Sequence, residues 1–444
     1  MWRNITKFFT LLLLFFLIIG LSQEANGQKT LPFPVSIFKL KNGLTVILSE
    51  DFSIPVVSIA VIYNVGSINE KPGKTGLAYL LENLMFYGSR NVGRMQHIRF
   101  IQRIGGILNA VTTEDKTIFY QTVPSNQLPL VLWLESDRMN FLSITPSNVQ
   151  RAKETVIEEI YHRIMTELYL ESSMLLDQLV FPEFAYGHPV FGYEIDLRGI
   201  TVEDVKNFYQ TYYIPNNAVL SICGNINRQK TQELVQKYFE TIPIGEDPPR
   251  LAPASLSKQE RIEKTIEGSL ASSPGLRIGY RIAPPYSNDF YVLSVIEYIL
   301  LRGNSSRLQK RLIHKERIAN HLSGGIDKRK DLAAFKIFVT SNNDITLERS
   351  KKAIFSELNK LKTNIISNEE LMKSKNLLKR DFINQYATSS GRAIFLAETY
   401  LSKGTLKDLP NELDKYLNVS PSDIIGIMNR YFTQDYILIN IKIK

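Results

Sequence analysis

One cysteine, Cys223, stands in 444 residues, so no disulfide can close within the chain and the fold has to rest on apolar cores. Histidine is nearly as scarce. His97, His162, His188, His314 and His321 are the whole supply, which leaves few imidazoles for a transition-metal centre. No apolar run reaches the roughly 18 residues that suggest a membrane-spanning helix. Clustered basic charge is missing as well. The net charge is +9, but the densest runs, Lys328-Arg329-Lys330 and Lys351-Lys352, are short and carry no interleaved aromatics, so a nucleic-acid surface gains no support.

What is present is ordinary globular composition, 44% hydrophobic and 22% charged, in a chain long enough for two or three domains. The start differs from the rest. Residues 1–27 carry Arg3 and Lys7, then an apolar run over 8–21, then Ala25-Asn26-Gly27. This is the pattern of a secretory signal, with cleavage expected before Gln28 and an uncleaved anchor as the alternative. Removing Arg3, Lys7 and Glu24 leaves 9 − 2 + 1 = +8. A periplasmic or secreted protein without a stable membrane span is expected, and no cysteine follows the run to take a lipid.

The mature chain reads as a duplication. Asp204-Val205, Tyr212-Tyr213 and Ile222 recur as Asp423-Ile424, Tyr431-Phe432 and Ile441 at a constant offset of 219 (423 − 204). Repeats of this size are whole domains, since solenoid units recur at about 20 to 50 residues. The expected domains are 28–242 and 265–444, joined by a linker over 243–264 that holds Pro243, Pro248, Pro249 and Pro253. Alternating strands at 44–48 and 56–63 and an amphipathic helix at 95–104 predict α+β domains, each a mostly antiparallel sheet covered by helices.

Residues 75–83 read T-G-L-A-Y-L-L-E-N, in which Leu77, Leu80, Leu81 and Leu84 give a helix its buried face. The inverted zincin signature H-x-x-E-H puts two histidines at i and i+4 on one helical face, with a glutamate between them to polarise the zinc-bound water. Here Tyr79 and Asn83 occupy the histidine positions and Glu82 the middle one. Further stretches accompany this helix: K-N-G-L-T-V-I-L from Lys41, G-G-I-L-N-A-V-T-T-E-D-K-T-I-F-Y from Gly105, W-L-E-S-D-R-M from Trp133 and G-H-P-V-F-G from Gly187. Together they make the chain resemble the insulinase and pitrilysin (M16) family of zinc peptidases, in its short two-domain form.

That resemblance implies a third metal ligand within a pattern like R-E-x-V-x-x-E, matched here by Lys153-Glu154-Thr155-Val156-Ile157-Glu158-Glu159. Glu159 takes the ligand position, 159 − 83 = 76 residues from Asn83, the family's own separation. It also implies an Arg and a Tyr from the second domain that grip substrate, in text like L-R-E-K-R-G-L-A-Y. Leu312-Ile313-His314-Lys315-Glu316-Arg317-Ile318-Ala319-Asn320 puts Ile313 and Asn320 at those two places, and the preceding Gly303-Asn304-Ser305-Ser306-Arg307-Leu308 anchors the register.

A catalytic zinc takes about three protein ligands and one open position. A phenol with an ordinary pKa of about 10 would have to ionise to serve, and an amide oxygen suits Ca²⁺ or Mg²⁺ better than zinc. No zinc or other cofactor is therefore expected, and Glu82 has no bound water to deprotonate. His162, three residues past Glu159, is the one substitute ligand a continuous helix would bring near; a surface histidine is the plainer reading. The resemblance gives His188, in the G-H-P turn, a structural role. It also makes Leu108-Asn109-Ala110-Val111-Thr112 the family's edge strand, on which extended peptides pair through backbone hydrogen bonds, with Asn109, Ala110 and Thr112 as contact positions; an ordinary sheet strand is the alternative. The expectation is an exported, non-catalytic homologue that partners a catalytic M16 subunit in a heterodimer. Two alternatives stay open: an active zinc metalloendopeptidase with unorthodox ligands, and an assembly subunit that binds no peptide.

Overall fold

The computed structural model describes residues 30–249, 251, 259–268 and 270–444. The expected signal sequence and part of the expected linker lie outside the described residues.

Two sheets organise the chain. The first contains β1 (Ser36–Lys39), β2 (Thr45–Glu50), β3 (Val56–Tyr63), β4 (Ile107–Thr112), β5 (Thr117–Pro124) and β6 (Ala218–Gly224) in the order β1-β2-β6-β3-β5-β4. The second contains β7 (Ile262–Gly268), β8 (Gly275–Ile282), β9 (His321–Lys328), β10 (Ala333–Thr340) and β11 (Ile437–Ile443) in the order β7-β11-β8-β10-β9. In each sheet one pair is parallel, β2 with β6 and β7 with β11, and the remaining pairs are antiparallel. The fold is α+β in two similar halves, as the sequence predicts. The repeat is close: β3 and β8 begin 275 − 56 = 219 residues apart, and β6 and β11 begin 437 − 218 = 219 apart. The helices Val202–Tyr212 and Pro421–Tyr431 share that offset, and each opens on a capping box, Thr201 with Asp204 and Ser420 with Asp423.

Strand β3 reads V-V-S-I-A-V-I-Y, a nearly unbroken apolar run, because both of its faces are covered. Val57, Ile59, Val61 and Tyr63 face the first half's own helices. Ala60 and Ile62 face the other way, onto Ala393, Leu396 and Ala397 of helix Ser389–Lys403, which belongs to the second half. The second sheet repeats the arrangement. Leu438 of β11 joins that half's own core, while Ile437, Ile439 and Ile441 pack against Leu176 and Val180 of helix Leu170–Val180 from the first half. The two crossing helices begin 389 − 170 = 219 residues apart, so the exchange is itself duplicated. Leu396 is fully buried, and burying a leucine side chain contributes about 2 kcal/mol.

A polar lock accompanies this exchange. Arg329, in the middle of the basic triplet, has a side chain only 2% exposed. It donates to the Tyr186 carbonyl (2.7 Å), pairs with Asp327 (3.1 Å) and Glu114 (3.3 Å), and lies 4.0 Å over the Phe181 ring. Burial alone would lower its pKa, but the surrounding carboxylates outweigh that and hold it charged. The triplet's central charge is therefore an internal fastener between the halves. The linker expectation needs one correction: β7 begins at Ile262, three residues inside 243–264. Ile262 and Ile266 pack on the exchanged-helix core, and the charged Glu263 and Lys264 between them mask the strand in the sequence. Among the described residues, no helix is long and apolar enough to cross a membrane.

Candidate functional site

The motif helix Leu77–Leu84 starts at Gly76, whose φ of +86° is left-handed and whose missing side chain lets Phe191 O approach; a Cβ there would stand 2.6 Å from it. The buried Glu70 carboxylate accepts the Gly76 and Ala78 amides, each at 2.8 Å, and so satisfies helix-start donors at the positive end of the helix dipole. Behind it, His188 meets Glu70 through Nε2 at 3.0 Å and donates through Nδ1 to the Phe184 carbonyl at 2.7 Å. Burial works to lower the His188 pKa, yet the hydrogen bond and charge of Glu70 prevail and raise it. Glu70 itself is raised by burial, against the pull of His188 and the two amides. Glu70 is the common acceptor of the two amides and of His188 Nε2.

Leu77, Leu80, Leu81 and Leu84 are buried on one face of this helix, as their spacing predicts, and Tyr79, Glu82 and Asn83 stand half-buried on the other. Helix Pro146–Thr166, opened by the Thr145 cap, brings Glu159 to them. The Tyr79 hydroxyl donates to Glu159 Oε1 at 2.5 Å, a length fitting a phenol on a carboxylate. Burial first, and then the Glu159 bond and charge, raise the Tyr79 pKa and keep the phenol protonated. Asn83 turns back onto its own helix, its Nδ2 donating to the Tyr79 carbonyl at 3.2 Å. Glu82 Oε2 accepts the Thr112 hydroxyl at 2.5 Å. Burial raises the Glu82 pKa, and Glu159 adds to the rise against the Thr112 hydrogen bonds.

These residues do not fit zinc. Two ligand positions bond to each other through a proton that the phenol retains, the third points its amide nitrogen at backbone, and Glu82 is occupied by a threonine. The histidines do not repair the set. His162 is exposed, and the exposed His314 and His321 lie in the other half. His97 is buried against Gln121 Oε1 (3.3 Å), with burial and then Arg138 driving its pKa down. Among the described residues, no three His, Cys, Asp or Glu side chains gather closely enough to hold an ion. In the second half, Ile313 packs half-buried on the apolar core, within the π-helical turn Gln309–Lys315. Asn320 is exposed and uses its backbone amide to bond Thr340 O at 2.8 Å.

Strand β4 lies at the edge of the first sheet, with Ile107 71% exposed. Its polar groups are partly taken: the Ala110 amide donates to Asn109 Oδ1 at 2.9 Å, while the Thr112 hydroxyl and backbone both bond Glu82.

One relationship escapes the sequence reading. Glu297 on helix Asn288–Leu300 bonds the backbone of Ile326 in β9, the edge strand of the second sheet, as Glu82 bonds Thr112 in β4. The offsets are 297 − 82 = 215 and 326 − 112 = 214, so these are equivalent places in the two halves. Next to Glu297, Tyr298 donates to Asp381 of the long helix Asn368–Asn384 at 2.9 Å, a tyrosine-to-carboxylate tie of the Tyr79–Glu159 kind. The shared glutamate was available as a signal, but the offset there differs from 219 and hides it.

Comparison with known proteins gives the family. Residues 45–180 match the family described as Insulinase (Peptidase family M16), and residues 199–378 match the one described as Peptidase M16 inactive domain. The zinc protease PqqE of Helicobacter pylori is 28% identical over 426 residues, covering 94% of both chains. A mitochondrial-processing peptidase subunit beta of Lentinula edodes is 23% identical, covering 93% of this chain and 90% of that protein. The crystal structure of a protease from Helicobacter pylori superposes with a TM-score of 0.85 at 27% identity, covering 92% of this chain and all of the other.

Proposed function

The chain belongs to the insulinase (M16) peptidase family, and from that premise we propose that it is an exported, non-catalytic member, the partner subunit of a zinc-bearing M16 peptidase, contributing chamber wall and peptide binding. The observation that carries this reading is the bond from Tyr79 to Glu159. Where an active centre would place an ion between these positions, a neutral phenol spans them. The first half's site has the same kind of ties that hold the second half's equivalent place, where Glu297 and Tyr298 lie within the residues matching the inactive-domain description. A relative that is by name a subunit supports partnership, and the signal-like residues 1–27 support export.

The test is the zinc content of residues 28–444, measured by elemental mass spectrometry after dialysis against trace zinc. A stoichiometry near zero is expected; about one zinc per chain would overturn the reading. Co-purification from the native cell should then recover a second M16 subunit, and a chain that elutes alone would remove the partnership.

A second reading, an assembly subunit that binds no peptide, draws on the self-satisfied groups of β4 at Ala110 and Thr112. Peptide binding by the pure chain separates the two.

A further inference from the structure

Between the two halves lies a cleft with two lobes. One, of about 480 Å³, is lined by Glu114, Arg163, Tyr169, Asp177, Phe191 and Arg277; the other, of about 430 Å³, by Ile164, Leu168, Leu170, Leu175, Leu270 and Ile441. Leu168, Tyr169 and Leu170 border both. Arg163 stands one helical turn beyond Glu159, so the cleft continues from the motif site.

The charges in the first lobe balance, with one exception. Arg163 is bonded to Glu167 at 2.8 Å, and Arg329 has Asp327 and Glu114. Asp177 is taken up by Lys336. Arg277 is left over. Its Nε donates to Ser172 Oγ (2.7 Å), its Nη2 donates to the Tyr169 carbonyl (3.1 Å), and it lies 4.0 Å over the Phe338 ring. These contacts fix the guanidinium plane without neutralising it. Among the described residues no carboxylate lies within 4.0 Å of Arg277, and its Nη1 carries no protein hydrogen bond while not being shut away from the cleft. Burial lowers its pKa to about 10, a shift that the more distant Asp177 and Tyr169 do not offset. Arg138, buried elsewhere, has a bidentate glutamate, Glu135. A held, half-buried guanidinium without its anion is a prepared carboxylate receptor. Beside it the second lobe is apolar and open, with Ile164 50%, Leu168 43% and Leu270 37% exposed.

We propose that this cleft holds the C-terminus of a peptide, with the α-carboxylate on Arg277 and a large aliphatic last side chain in the lobe formed by Ile164, Leu168 and Leu270. The inference rests on the peptide-holding part of the proposed function and names the class of peptide held. It needs no metal and no bond cleavage.

The experiment is fluorescence anisotropy on the full mature chain with a labelled heptapeptide ending in leucine, compared with its C-terminal amide and with labelled dodecanoate. A charge-assisted hydrogen bond is worth about 1.5–3 kcal/mol, so amidation should weaken binding by about 10- to 100-fold. In Arg277→Gln, acid and amide should bind alike; Leu168→Ala should weaken both by the same factor. The wild-type comparison of acid with amide needs no variant to fold, and circular dichroism checks those that are made. Equal binding of acid and amide by the wild type, an acid preference retained in Arg277→Gln, no binding of either peptide, or dodecanoate binding as tightly as the peptide would each overturn the inference. Peptide binding indifferent to the terminus would leave the proposed subunit role intact. A bound zinc would remove that role whatever the peptides do.

Discussion

Tyr79 and Glu159, 80 residues apart in sequence and on different helices, meet through one hydrogen bond of 2.5 Å, with the phenol as donor. Glu159 therefore has a partner without any ion, and Tyr79 reaches across the space with its own oxygen. The position is closed chemically while the helices that frame it remain packed on Leu77, Leu80, Leu81 and Leu84. Several measurable consequences come from this pair and its surroundings.

Replacing both Tyr79 and Asn83 by histidine breaks the bond and restores two imidazoles at i and i+4, with Glu159 as the third donor. The double variant should take up about one zinc per chain, against the near-zero content expected of the wild type, as read by elemental mass spectrometry. Peptide hydrolysis should stay at background, because Ile313 and Asn320 offer neither a guanidinium nor a phenol.

Tyr79→Phe removes the donor and leaves the half-buried Glu159 without its partner. A loss of about 1–3 kcal/mol in urea unfolding is expected. Adding Glu159→Gln to Tyr79→Phe should cost less than the sum of the two single changes, since the contact is counted once.

The Glu70–His188 pair gives a pH dependence with a defined sign. The folded pKa of His188 is raised, so its stabilising contribution is fully present below the unfolded value of about 6.5 and is lost as pH rises through the folded value. Glu70, also raised, binds its proton more tightly in the folded chain and so acts in the same direction. His188→Gln should therefore cost more stability at pH 6 than at pH 9, with the larger cost about 3–5 kcal/mol for a broken buried pair. Equal costs at the two pH values would contradict this assignment.

Trp133 is the one tryptophan of residues 28–444 and sits in the first half, packed beside Phe100. Leu396 belongs to the second half but packs on the first sheet. Leu396→Ala should cost about 2–5 kcal/mol, and the loss should be visible as an earlier Trp133 fluorescence transition in urea. An unmoved Trp133 transition would mean that the halves unfold independently.

The parts legible in the sequence are those fixed by local chemistry. Asp204-Val205, Tyr212-Tyr213 and Ile222, repeated as Asp423-Ile424, Tyr431-Phe432 and Ile441, reveal the duplication because the same helix start, aromatic pair and strand recur at one offset. The leucines of 77–84 reveal the motif helix, and the substitutions at Tyr79 and Asn83 are visible because their neighbours hold the register. Periodicity says that a face is buried, not which sheet buries it, so the crossing of Leu170–Val180 and Ser389–Lys403 is invisible to it. Arg329 reads as surface charge because its counter-ions, Asp327 and Glu114, meet it only in three dimensions. Arg277 lies inside a strand reading G-L-R-I-G-Y-R-I, where nothing marks it as lacking an anion.

The crossing helices bear on how the molecule could be divided. Each sheet is finished by a helix encoded in the opposite half, so a cut within the proline-rich connection would not release two self-sufficient pieces. It would leave two fragments that complete one another. Separately expressed, each would expose the apolar strip meant for the other's helix; mixed, they should reassemble without a covalent join, as complementary parts of one folding unit.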